Sequence, residues 1–416
     1  MPFSSLNLSP ALLSAIAERG YLTPTAIQSA AIPAILQGRD VVASAKTGSG
    51  KTAAFALPLL QQIAALPAVP RGAIRPTSAL ILVPTRELAA QVGETVVSLS
   101  THLTRRVKVA VVFGGVSINP QMMNLRGGAD IIVATPGRLL DLIDHNALSI
   151  SALSALVLDE ADRLLDLGFG QELQRILNLL PGARQTLFFS ATFPPAIEKL
   201  AATMLREPLR IEAAHSTEAK PDIVQRAIAV DAPKRTQLLR HLLQDPQWSR
   251  VLVFVATKHA AEIVAEKLRK YSIKAEPFHG EVSQGKRQQV LQDFKAKALQ
   301  VMIATDVAAR GIDIAQLPVV INFDLPRSAV DYTHRIGRTG RAGEPGLAVS
   351  FLSATTESHF RLIEKRQDIR VAREQIAGFE PTETAELNAE AAADTGGVKG
   401  IRPSKKDKLR ATKALG

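Results

Sequence analysis

Nine residues from Ser44 to Thr52, S-A-K-T-G-S-G-K-T, have the types and spacing of a phosphate-binding loop. They follow a short apolar run, so the pattern predicts a strand, a glycine-containing turn and a helix. Gly48 and Gly50 let backbone N–H groups turn toward phosphate oxygens. Lys51 supplies a positive charge for the terminal phosphates, and Thr52 offers a hydroxyl to Mg²⁺. The loop by itself predicts that ATP or GTP binds here.

Two acids, Asp159 and Glu160, end another apolar run, V-L-D-E-A-D. We assign Asp159 to a phosphate-bound Mg²⁺ and Glu160 to the attacking water. Without the phosphate loop, the same acids would be read as charges that favour a helix N-terminus. A third acid, Asp162, could accept hydrogen bonds from Ser190 or Thr192 at the end of a further run, which would couple the metal site to movement elsewhere.

The run Y-T-H-R-I-G-R-T-G-R, residues 332–341, carries three arginines. On a helix, Arg335 and Arg338 share a face, and Arg341 extends that face by a turn. Three guanidinium groups pointing the same way need an anion, and the γ-phosphate held by the first half of the chain is one. A surface helix that binds nucleic-acid phosphates is the alternative.

Other apolar runs also end in polar residues. Gln28 carries an amide that could bind a purine edge, Thr305 could meet a nucleic-acid phosphate, and Asp313 could reach a ribose hydroxyl. Turn residues, hydroxyls and arginines end three runs of the first half, and together they suit sugar–phosphate contacts. These residues are Pro84, Thr85, Arg86, Glu87, Gly114, Gly115, Thr135, Pro136, Gly137 and Arg138.

Short Val, Ile, Leu and Ala runs alternate with helix-like stretches along most of the chain, as in parallel sheets covered on both faces. In such α/β folds ligands bind at the carboxyl ends of strands, where the residues above lie. The predicted strands are 40–45, 79–84, 107–113, 130–135, 155–159, 185–190 and 208–212, followed by 224–230, 251–256, 274–278, 300–304, 319–323 and 346–352. We expect two doubly wound domains, the second without a phosphate loop of its own.

The domain boundaries follow changes in composition. We predict a first domain at 1–213, a polar linker at 214–222, a second domain at 223–372 and a flexible tail at 373–416, acidic and then basic. The basic end of the tail could touch a polyanion or be simply solvated. An amphipathic helix is predicted over 9–20, with a second helix after Pro24.

Composition narrows the classes of protein. The 416 residues include 50 Lys+Arg and 39 Asp+Glu, a net charge of +11, which suits a polyanionic partner or serves solubility alone. Because cysteine is absent, disulfides and thiolate chemistry are excluded. No apolar run approaches the ~18 residues of a membrane span, and the N-terminus lacks a basic secretory start, so we expect a cytoplasmic protein.

The ordered motifs resemble those of the DEAD-box ATP-dependent RNA helicases. They are G-Y-L-T-P-T-A-I-Q, A-K-T-G-S-G-K-T, P-T-R-E-L-A, G-G, T-P-G-R, D-E-A-D, S-A-T, A-T-D-V-A-A-R-G-I-D and H-R-I-G-R-T-G-R, within about residues 3–370. D-E-A-D-R-L-L-D-L-G-F looks most like the bacterial RhlE-type subgroup. The resemblance implies two RecA-like domains, with ATP and Mg²⁺ between them and single-stranded RNA across both.

Site residues follow from the resemblance motif by motif. It implies that Gln28 reads adenine with Phe3 stacking nearby, that Arg338 and Arg341 are arginine fingers, and that His334 bridges to the Asp162 region. Ser190 and Thr192 would couple hydrolysis to unwinding. The remaining nucleotide contacts would be Tyr21, Thr23, Thr47, Gly48, Ser49, Gly50, Lys51, Thr52, Gly311 and Asp313. RNA would meet Pro84, Thr85, Arg86, Gly114, Gly115, Thr135, Pro136, Arg138, Thr257, Thr305 and Asp306.

One position departs from the family pattern, since Lys46 stands where glutamine is usual, and we expect it to alter nucleotide affinity. The implied activity is RNA-stimulated ATP hydrolysis with local duplex unwinding. An ATP-gated RNA clamp without unwinding and a DNA-directed motor remain alternatives. Expected partners are RNA, and with it ribosomal precursors or RNA-degradation proteins; we expect a monomer and no membrane.

Overall fold

The computed structural model describes residues 2–45, 49–70, 72–212, 223–309, 312, 314, 317–340 and 346–383. The chain divides into two compact units. The first comprises 1–221 with 282–288 and 307–315, and the second comprises 222–281, 289–306 and 316–416. The division near residue 221 falls inside the predicted linker, which itself lies outside the described residues.

The first unit is built on a seven-stranded parallel sheet. Its strands are β1 Val41–Ser44, β2 Ala79–Leu82, β3 Val109–Val112, β4 Ile131–Ala134, β5 Ala155–Leu158, β6 Gln185–Ser190 and β7 Leu209–Glu212. Its helices are α1 Pro10–Glu18, α2 Ala26–Leu36, α3 Lys51–Ala64, α4 Arg86–Leu99, α5 Asn119–Asn124, α6 Pro136–Asp144, α7 Ala161–Asp166, α8 Gly170–Leu179 and α9 Pro195–Met204, preceded by a 3₁₀ turn at Phe3–Leu6. The strand order is β3-β4-β2-β5-β6-β1-β7.

Alternate residues of each central strand enter two different cores. Along β2, Ala79 and Ile81 join the apolar cluster on one face of the sheet, whereas Leu80 and Leu82 join the cluster on the other. Because both faces are covered by helices, the strands are apolar at nearly every position. This burial explains why the strands could be predicted as continuous apolar runs.

The strand order divides the carboxyl edge of this sheet into two halves. Ser44 of β1 pairs with Ser190 of β6, and Leu158 of β5 pairs with Phe188, also of β6. The phosphate loop, the acid pair and the S-A-T motif therefore follow three neighbouring strands. The other half, β2, β4 and β3, is followed by the P-T-R-E, T-P-G-R and G-G motifs.

The second unit also has a seven-stranded parallel sheet. Its strands are β8 Ile223–Ala229, β9 Val251–Val255, β10 Ala275–Phe278, β11 Val301–Thr305, β12 Val319–Asn322, β13 Gly346–Leu352 and β14 Arg373–Glu374, in the order β10-β11-β9-β12-β13-β8-β14. Its helices are α10 Arg235–Leu242, α11 Lys258–Arg269, α14 Ala329–Ile336 and α15 Glu357–Gln367, with a 3₁₀ turn at Ala232–Lys234. Helices α12 Gln284–Lys295 and α13 Asp306–Ala309 each contain residues of both units. The predicted fold class, two α/β parallel-sheet domains in tandem, is confirmed.

The start of the predicted tail belongs to the fold, so the prediction that the chain is flexible from residue 373 is wrong for residues 373–383. Arg373 and Glu374 form the edge strand β14 beside β8. Further along, the backbone N–H and hydroxyl of Thr382 both donate to the Asp231 carboxylate. Composition alone missed this segment because its order comes from a few specific hydrogen bonds. Residues 384–416 lie outside the described residues.

The helices of the described chain are short. The longest, α3 and α4, have 14 residues each. None of the helices in the described ranges is long and apolar enough to span a membrane.

Candidate nucleotide and nucleic-acid site

The end of the phosphate loop takes the predicted form of a glycine turn followed by a helix. Gly50 has φ +87°, a left-handed conformation that side chains rarely adopt, and α3 begins at the next residue, Lys51. Lys51 is only 7 % exposed, and its Nζ donates to the carbonyl oxygen of Ala45 at 2.8 Å. Thr52 is half-buried one residue along α3. The other predicted loop residues, Thr47 and Gly48, lie outside the described residues, as does Lys46.

Gln28 is hydrogen-bonded to the phosphate loop itself. Its Oε1 accepts from the backbone N–H of Thr25 at 2.9 Å, as part of a capping box at the start of α2. Its Nε2 donates to the carbonyl oxygen of Gly50 at 3.1 Å, and the Thr25 hydroxyl donates to the carbonyl oxygen of Ser49 at 2.8 Å. The start of α2 therefore supports the end of the loop, a contact that the sequence analysis missed.

The other residues predicted beside the base are arranged differently. Phe3 is buried in the apolar core of the first unit, packed there with the helices on that face of the sheet. Tyr21 is half-buried, with the Arg19 guanidinium 5.7 Å from its ring centroid, and Thr23 is exposed. Because Phe3 shows no open ring face, its stacking on adenine stays a prediction.

Asp159 lies at the end of β5 and is 2 % exposed. Its Oδ1 accepts from the backbone N–H of Glu160 at 3.0 Å. Burial raises the pKa of the Asp159 carboxyl from its ordinary 3.8 to about 6. The charge of Lys51 opposes this rise, whereas Glu160 and Asp162 add to it. The site thus holds a carboxyl whose charge is poorly compensated by the protein, as expected where a cation completes the site.

Glu160 has φ +52° and lies immediately before α7. Its Oε2 is 3.3 Å from the Nη1 of Arg163, and both side chains are almost fully buried. No function was predicted for Arg163 from the sequence, although its spacing of three residues from Glu160 could have indicated a contact.

Asp162 joins the acid motif to the S-A-T motif. Its Oδ2 accepts from both the backbone N–H and the hydroxyl of Thr192, at 3.0 and 2.8 Å. Its own backbone N–H donates to the Ser190 hydroxyl, which donates in turn to the Thr192 carbonyl oxygen. The predicted contact of the Asp162 carboxylate with Thr192 is confirmed. Ser190 instead accepts from the Asp162 backbone.

The three polar strand ends of the other half form one connected rim. The Arg86 guanidinium lies against Gly115, where an added Cβ would approach it to 2.4 Å, and Gly115 has φ +74°. The Thr135 hydroxyl accepts from the backbone N–H of Gly114 at 3.4 Å, and Arg138 donates to the carbonyl oxygen of Val116 at 2.7 Å. The G-G loop is therefore held from both sides.

Helix starts account for the threonines and prolines of this rim. The Thr85 hydroxyl accepts from the backbone N–H of Leu88 at the start of α4. Thr135 precedes α6, and Pro136 is the first residue of that helix. Pro84, the residue before Thr85, is buried. These residues lie at one edge of the sheet, as predicted. Their contacts with RNA stay a prediction.

The prediction of three arginines on one helix face is wrong. Helix α14 ends at Ile336, because the chain then turns to form a bridge between Thr339 and Leu317. Arg338 therefore lies beyond the helix, where it is buried. His334, in the last turn of α14, is half-buried.

Arg335 binds acids and carbonyls within the second unit. Its guanidinium, 2 % exposed, forms two hydrogen bonds of 2.6 Å with the Asp306 carboxylate. It also donates to the Asn322 side chain and the Asp324 carbonyl oxygen. Asp306, predicted to meet RNA, thus has both carboxylate oxygens engaged by an arginine, and its observed contact is a structural one.

The remaining residues predicted in the later half of the chain fall into two groups. Thr257 is exposed, and its hydroxyl accepts from the backbone N–H of Ala260 at the start of α11, while Thr305 is half-buried at the end of β11. Gly311, Asp313 and Arg341 lie outside the described residues.

The side chains at the β1–β6–β5 edge fit a nucleotide with its cation. Lys51 and the turned backbone at Gly50 are suited to phosphate, and the buried Asp159 carboxylate and the Thr52 hydroxyl are the hard oxygen ligands that Mg²⁺ prefers. The described residues contain no group of three His, Cys, Asp or Glu side chains able to hold a metal.

Two parallel α/β sheets in tandem, the first with a phosphate-loop lysine and a buried acid pair on neighbouring strand ends, define a P-loop protein with RecA-like domains. The sequence model of the DEAD/DEAH box helicase family matches residues 25–200, and that of the helicase conserved C-terminal domain matches residues 234–343. The chain belongs to the DEAD/DEAH box helicase family.

Individual relatives agree with this family. The chain is 44 % identical over 370 residues to the ATP-dependent RNA helicase DbpA of Escherichia coli, covering 89 % of this chain and 79 % of that protein. It is 41 % identical over 372 residues to the ATP-dependent RNA helicase DeaD of Buchnera aphidicola, covering 89 % of this chain but only 60 % of that protein.

A solved structure of S. cerevisiae Dbp5 bound to RNA and ADP BeF3 resembles the chain with a TM-score of 0.77 and 30 % sequence identity. The similarity covers 90 % of this chain and 95 % of that one. The tandem RecA-like fold is therefore confirmed. The RhlE-type subgroup stays a prediction.

Proposed function

We propose that this protein is an ATP-dependent RNA helicase, which unwinds short RNA duplexes locally or remodels RNA–protein complexes through RNA-stimulated ATP hydrolysis. One observation carries the proposal. The carboxyl edge of a single sheet presents phosphate- and water-binding chemistry after β1, β6 and β5, and a connected rim of arginines and hydroxyls after β2, β4 and β3. The relatives named as ATP-dependent RNA helicases are similar in sequence to this chain over most of its length.

In the proposed hydrolysis, the oxygen of a water molecule bonds to the γ-phosphorus while the bond from that phosphorus to the β–γ bridging oxygen breaks. ADP leaves with the electron pair of that bond, and Glu160 accepts the proton of the water. Lys51 neutralises charge on the terminal phosphates. Mg²⁺, held by Asp159 and Thr52, would neutralise further charge on the β- and γ-phosphates.

Asp162, Ser190 and Thr192 supply the coupling in this proposal. Their hydrogen bonds join the strand end that carries the acid pair to the next strand end. A change at the γ-phosphate that shifts the acid motif would therefore shift the S-A-T motif with it. The rim from Thr85 to Arg138 would hold the RNA backbone by phosphate and sugar contacts, independently of base sequence.

The second domain would complete the ATP site. We propose domains at 1–213 and 223–383, joined by the linker at 214–222, with Arg338 and Arg341 reaching the γ-phosphate and His334 contacting the Asp162 region. Gly311 and Asp313 would contact the nucleotide, and Thr257 and Thr305 the RNA. Moving such a clamp from mostly open to mostly closed takes about 5.5 kcal/mol of differential binding. Joint binding of ATP and RNA would provide it.

Steady-state ATPase and strand-displacement assays test the proposal. We expect ATP turnover to rise with single-stranded or structured RNA and not with single-stranded DNA, and the stimulation to fall at the higher of two salt concentrations. Glu160→Gln should retain ATP and RNA but release RNA slowly. RNA-stimulated turnover without strand displacement would favour an ATP-gated clamp, and equal stimulation by DNA would favour a DNA-directed motor.

We further propose that the protein acts as a cytoplasmic monomer on ribosomal precursors or beside RNA-degradation proteins. The molar mass in solution, measured by light scattering, tests the monomer. RNA crosslinking in cells tests the substrate.

A further inference from the structure

Arg163 is a buried cation to which the proposed reaction assigns no role. It lies in the first unit, on the short helix α7 that follows the acid pair, and its side chain is 5 % exposed. Its Nη1 is 3.3 Å from Oε2 of Glu160, whose side chain is 6 % exposed. Burying an arginine against a carboxylate carries a large desolvation cost, so the ion pair is weak evidence for a purely stabilising contact.

The backbone also ties Arg163 to the acid motif. Its N–H donates to the Glu160 carbonyl oxygen at 2.9 Å and is shared with Oδ1 of Asp162 at 3.1 Å. Glu160 itself has φ +52°, a left-handed conformation uncommon for a residue with a side chain. The turn after β5 is thus closed by Arg163 from both its backbone and its side chain.

We propose that Arg163 is a positioning residue for Glu160, holding its carboxylate in one orientation for the attacking water. This inference rests on the proposed function, in which Glu160 accepts the proton. The carboxylate has freedom about three side-chain torsions, and Arg163 restricts that freedom by an ion pair in a site from which water is largely excluded. Arg163 itself contacts neither nucleotide nor water in this role.

The rate of ATP hydrolysis, measured over a range of ATP concentrations at saturating RNA, tests the role, with four variants of the full chain. Arg163→Gln should lower the hydrolysis rate about 10- to 100-fold with the KM for ATP changed less than about twofold, because misplacement of a reacting group costs rate and not binding. Arg163→Lys, which keeps the charge, should recover part of the rate. Glu160→Gln and the Glu160→Gln, Arg163→Gln double variant complete the set.

The double variant separates positioning from general stabilisation. If Arg163 acts through Glu160, its replacement should change the rate of the Glu160→Gln protein less than about twofold. A further 10-fold loss in that background would overturn the inference, as would a wild-type rate for Arg163→Gln. Melting temperature and ADP affinity show whether each variant is folded. If Arg163→Gln does not fold, Arg163→Lys is used instead. It should reduce the hydrolysis rate when Glu160 is present and should not reduce it further in the Glu160→Gln protein.

Failure of the inference and failure of the proposed function give different results. If Glu160→Gln hydrolyses ATP at the wild-type rate, Glu160 does not accept the proton, and the proposed reaction is wrong whatever Arg163 does. If Glu160→Gln is inactive and Arg163→Gln is not impaired, only the role of Arg163 is wrong.

Discussion

The side-chain amide of Gln28 donates to the carbonyl oxygen of Gly50 at 3.1 Å, so the start of α2 and the end of the phosphate loop form one hydrogen-bonded unit. The same amide accepts from Thr25 to cap α2. The residue predicted to bind adenine is therefore also in direct contact with the loop predicted to bind phosphate.

This contact predicts that Gln28→Glu and Gln28→Ala differ. Glutamate keeps the acceptor for Thr25 but sets an oxygen against the Gly50 carbonyl, so ATP affinity should fall about 10-fold with little loss of stability. Alanine also loses the acceptor for the Thr25 backbone N–H, while the Thr25 hydroxyl still caps α2, and should destabilise the fold by about 1 kcal/mol. ATP titrations and thermal melts measure both. The control Gln62→Ala, which loses one bond from α3 to the Ile35 carbonyl oxygen, should leave ATP affinity unchanged. Equal ATP affinity in wild type and Gln28→Glu would contradict the link.

The hydroxyl bond from Thr192 to Asp162 predicts an uncoupled enzyme. Thr192→Val keeps the backbone donor but loses the 2.8 Å hydroxyl bond, so RNA-stimulated ATP turnover should stay within about threefold while strand displacement falls at least 10-fold. Thr203→Val, at an exposed position on α9, is the matched control and should keep both activities. Loss of both activities in equal proportion would show that Thr192 supports the site and does not couple it.

The raised pKa of Asp159 predicts how stability without nucleotide depends on pH. The folded-state pKa of about 6 lies above the ordinary 3.8, so the folded protein binds this proton more tightly. The contribution of this proton to the free energy of unfolding is fully present below about pH 4 and is lost as the pH rises through about 6. Asp159→Asn should therefore stabilise the protein at pH 7.5. The gain in its free energy of unfolding over wild type should be larger at pH 7.5 than at pH 4, by on the order of 2–3 kcal/mol.

Denaturant unfolding of wild type and Asp159→Asn between pH 4 and 8, without nucleotide or Mg²⁺, measures this difference. Asp144→Asn, in an exposed ion pair with Arg175, should change stability by less than about 1 kcal/mol. A difference between wild type and Asp159→Asn that does not vary with pH would contradict the shift.

The ion pair of the buried Arg335 guanidinium with the partly exposed Asp306 carboxylate predicts a structural phenotype for an arginine of the H-R-I-G-R motif. Arg335→Ala should destabilise the fold by about 3 kcal/mol, because Asp306, the Asn322 side chain and the Asp324 carbonyl oxygen all lose their donor. Arg361→Ala, in an exposed pair with Glu357, should cost less than about 1 kcal/mol. Denaturant unfolding compares the two. A wild-type unfolding midpoint for Arg335→Ala, together with lost ATPase activity, would contradict the structural role and would favour a contact between Arg335 and the γ-phosphate.

The contact of Arg86 with Gly115 predicts an RNA-specific defect. In Gly115→Ala the added Cβ would approach the Arg86 guanidinium to 2.4 Å at a left-handed backbone position, so both the loop and the arginine must shift. The RNA concentration for half-maximal ATPase should rise about 10-fold, and turnover without RNA should not change. Gly182→Ala, where the Cβ meets nothing within 4 Å, should leave RNA stimulation intact. A rise in the KM for ATP instead would place Gly115 with the nucleotide.

Local sequence patterns were sufficient for the elements and most of the motifs. All thirteen predicted strands are present. Most of them are buried on both faces, and such a strand is a continuous apolar run that can be recognised from a few neighbouring residues. The phosphate loop, the acid pair and the strand-end turns were recognisable for a similar reason, since each chemistry lies within about ten consecutive residues.

Contacts between distant residues were not recognisable in this way. Nothing near Gln28 specifies Gly50, and the helix pattern that placed Arg335 and Arg338 on one face did not contain the bridge from Thr339 to Leu317 that ends α14. The buried guanidinium of Arg335 is explained by Asp306, 29 positions earlier in the chain.

The sequence alone thus determined which chemical groups end each strand and the class of ligand they suit. The tertiary structure decided which groups are neighbours, because the strand order β3-β4-β2-β5-β6-β1-β7 differs from the chain order. Only that order sets the phosphate loop beside the S-A-T motif and the acid pair, and gathers the arginine and hydroxyl rim along the rest of the same edge. The physical reason is that hydrogen bonding between parallel strands and packing of both sheet faces are properties of the whole sheet, which no single segment encodes.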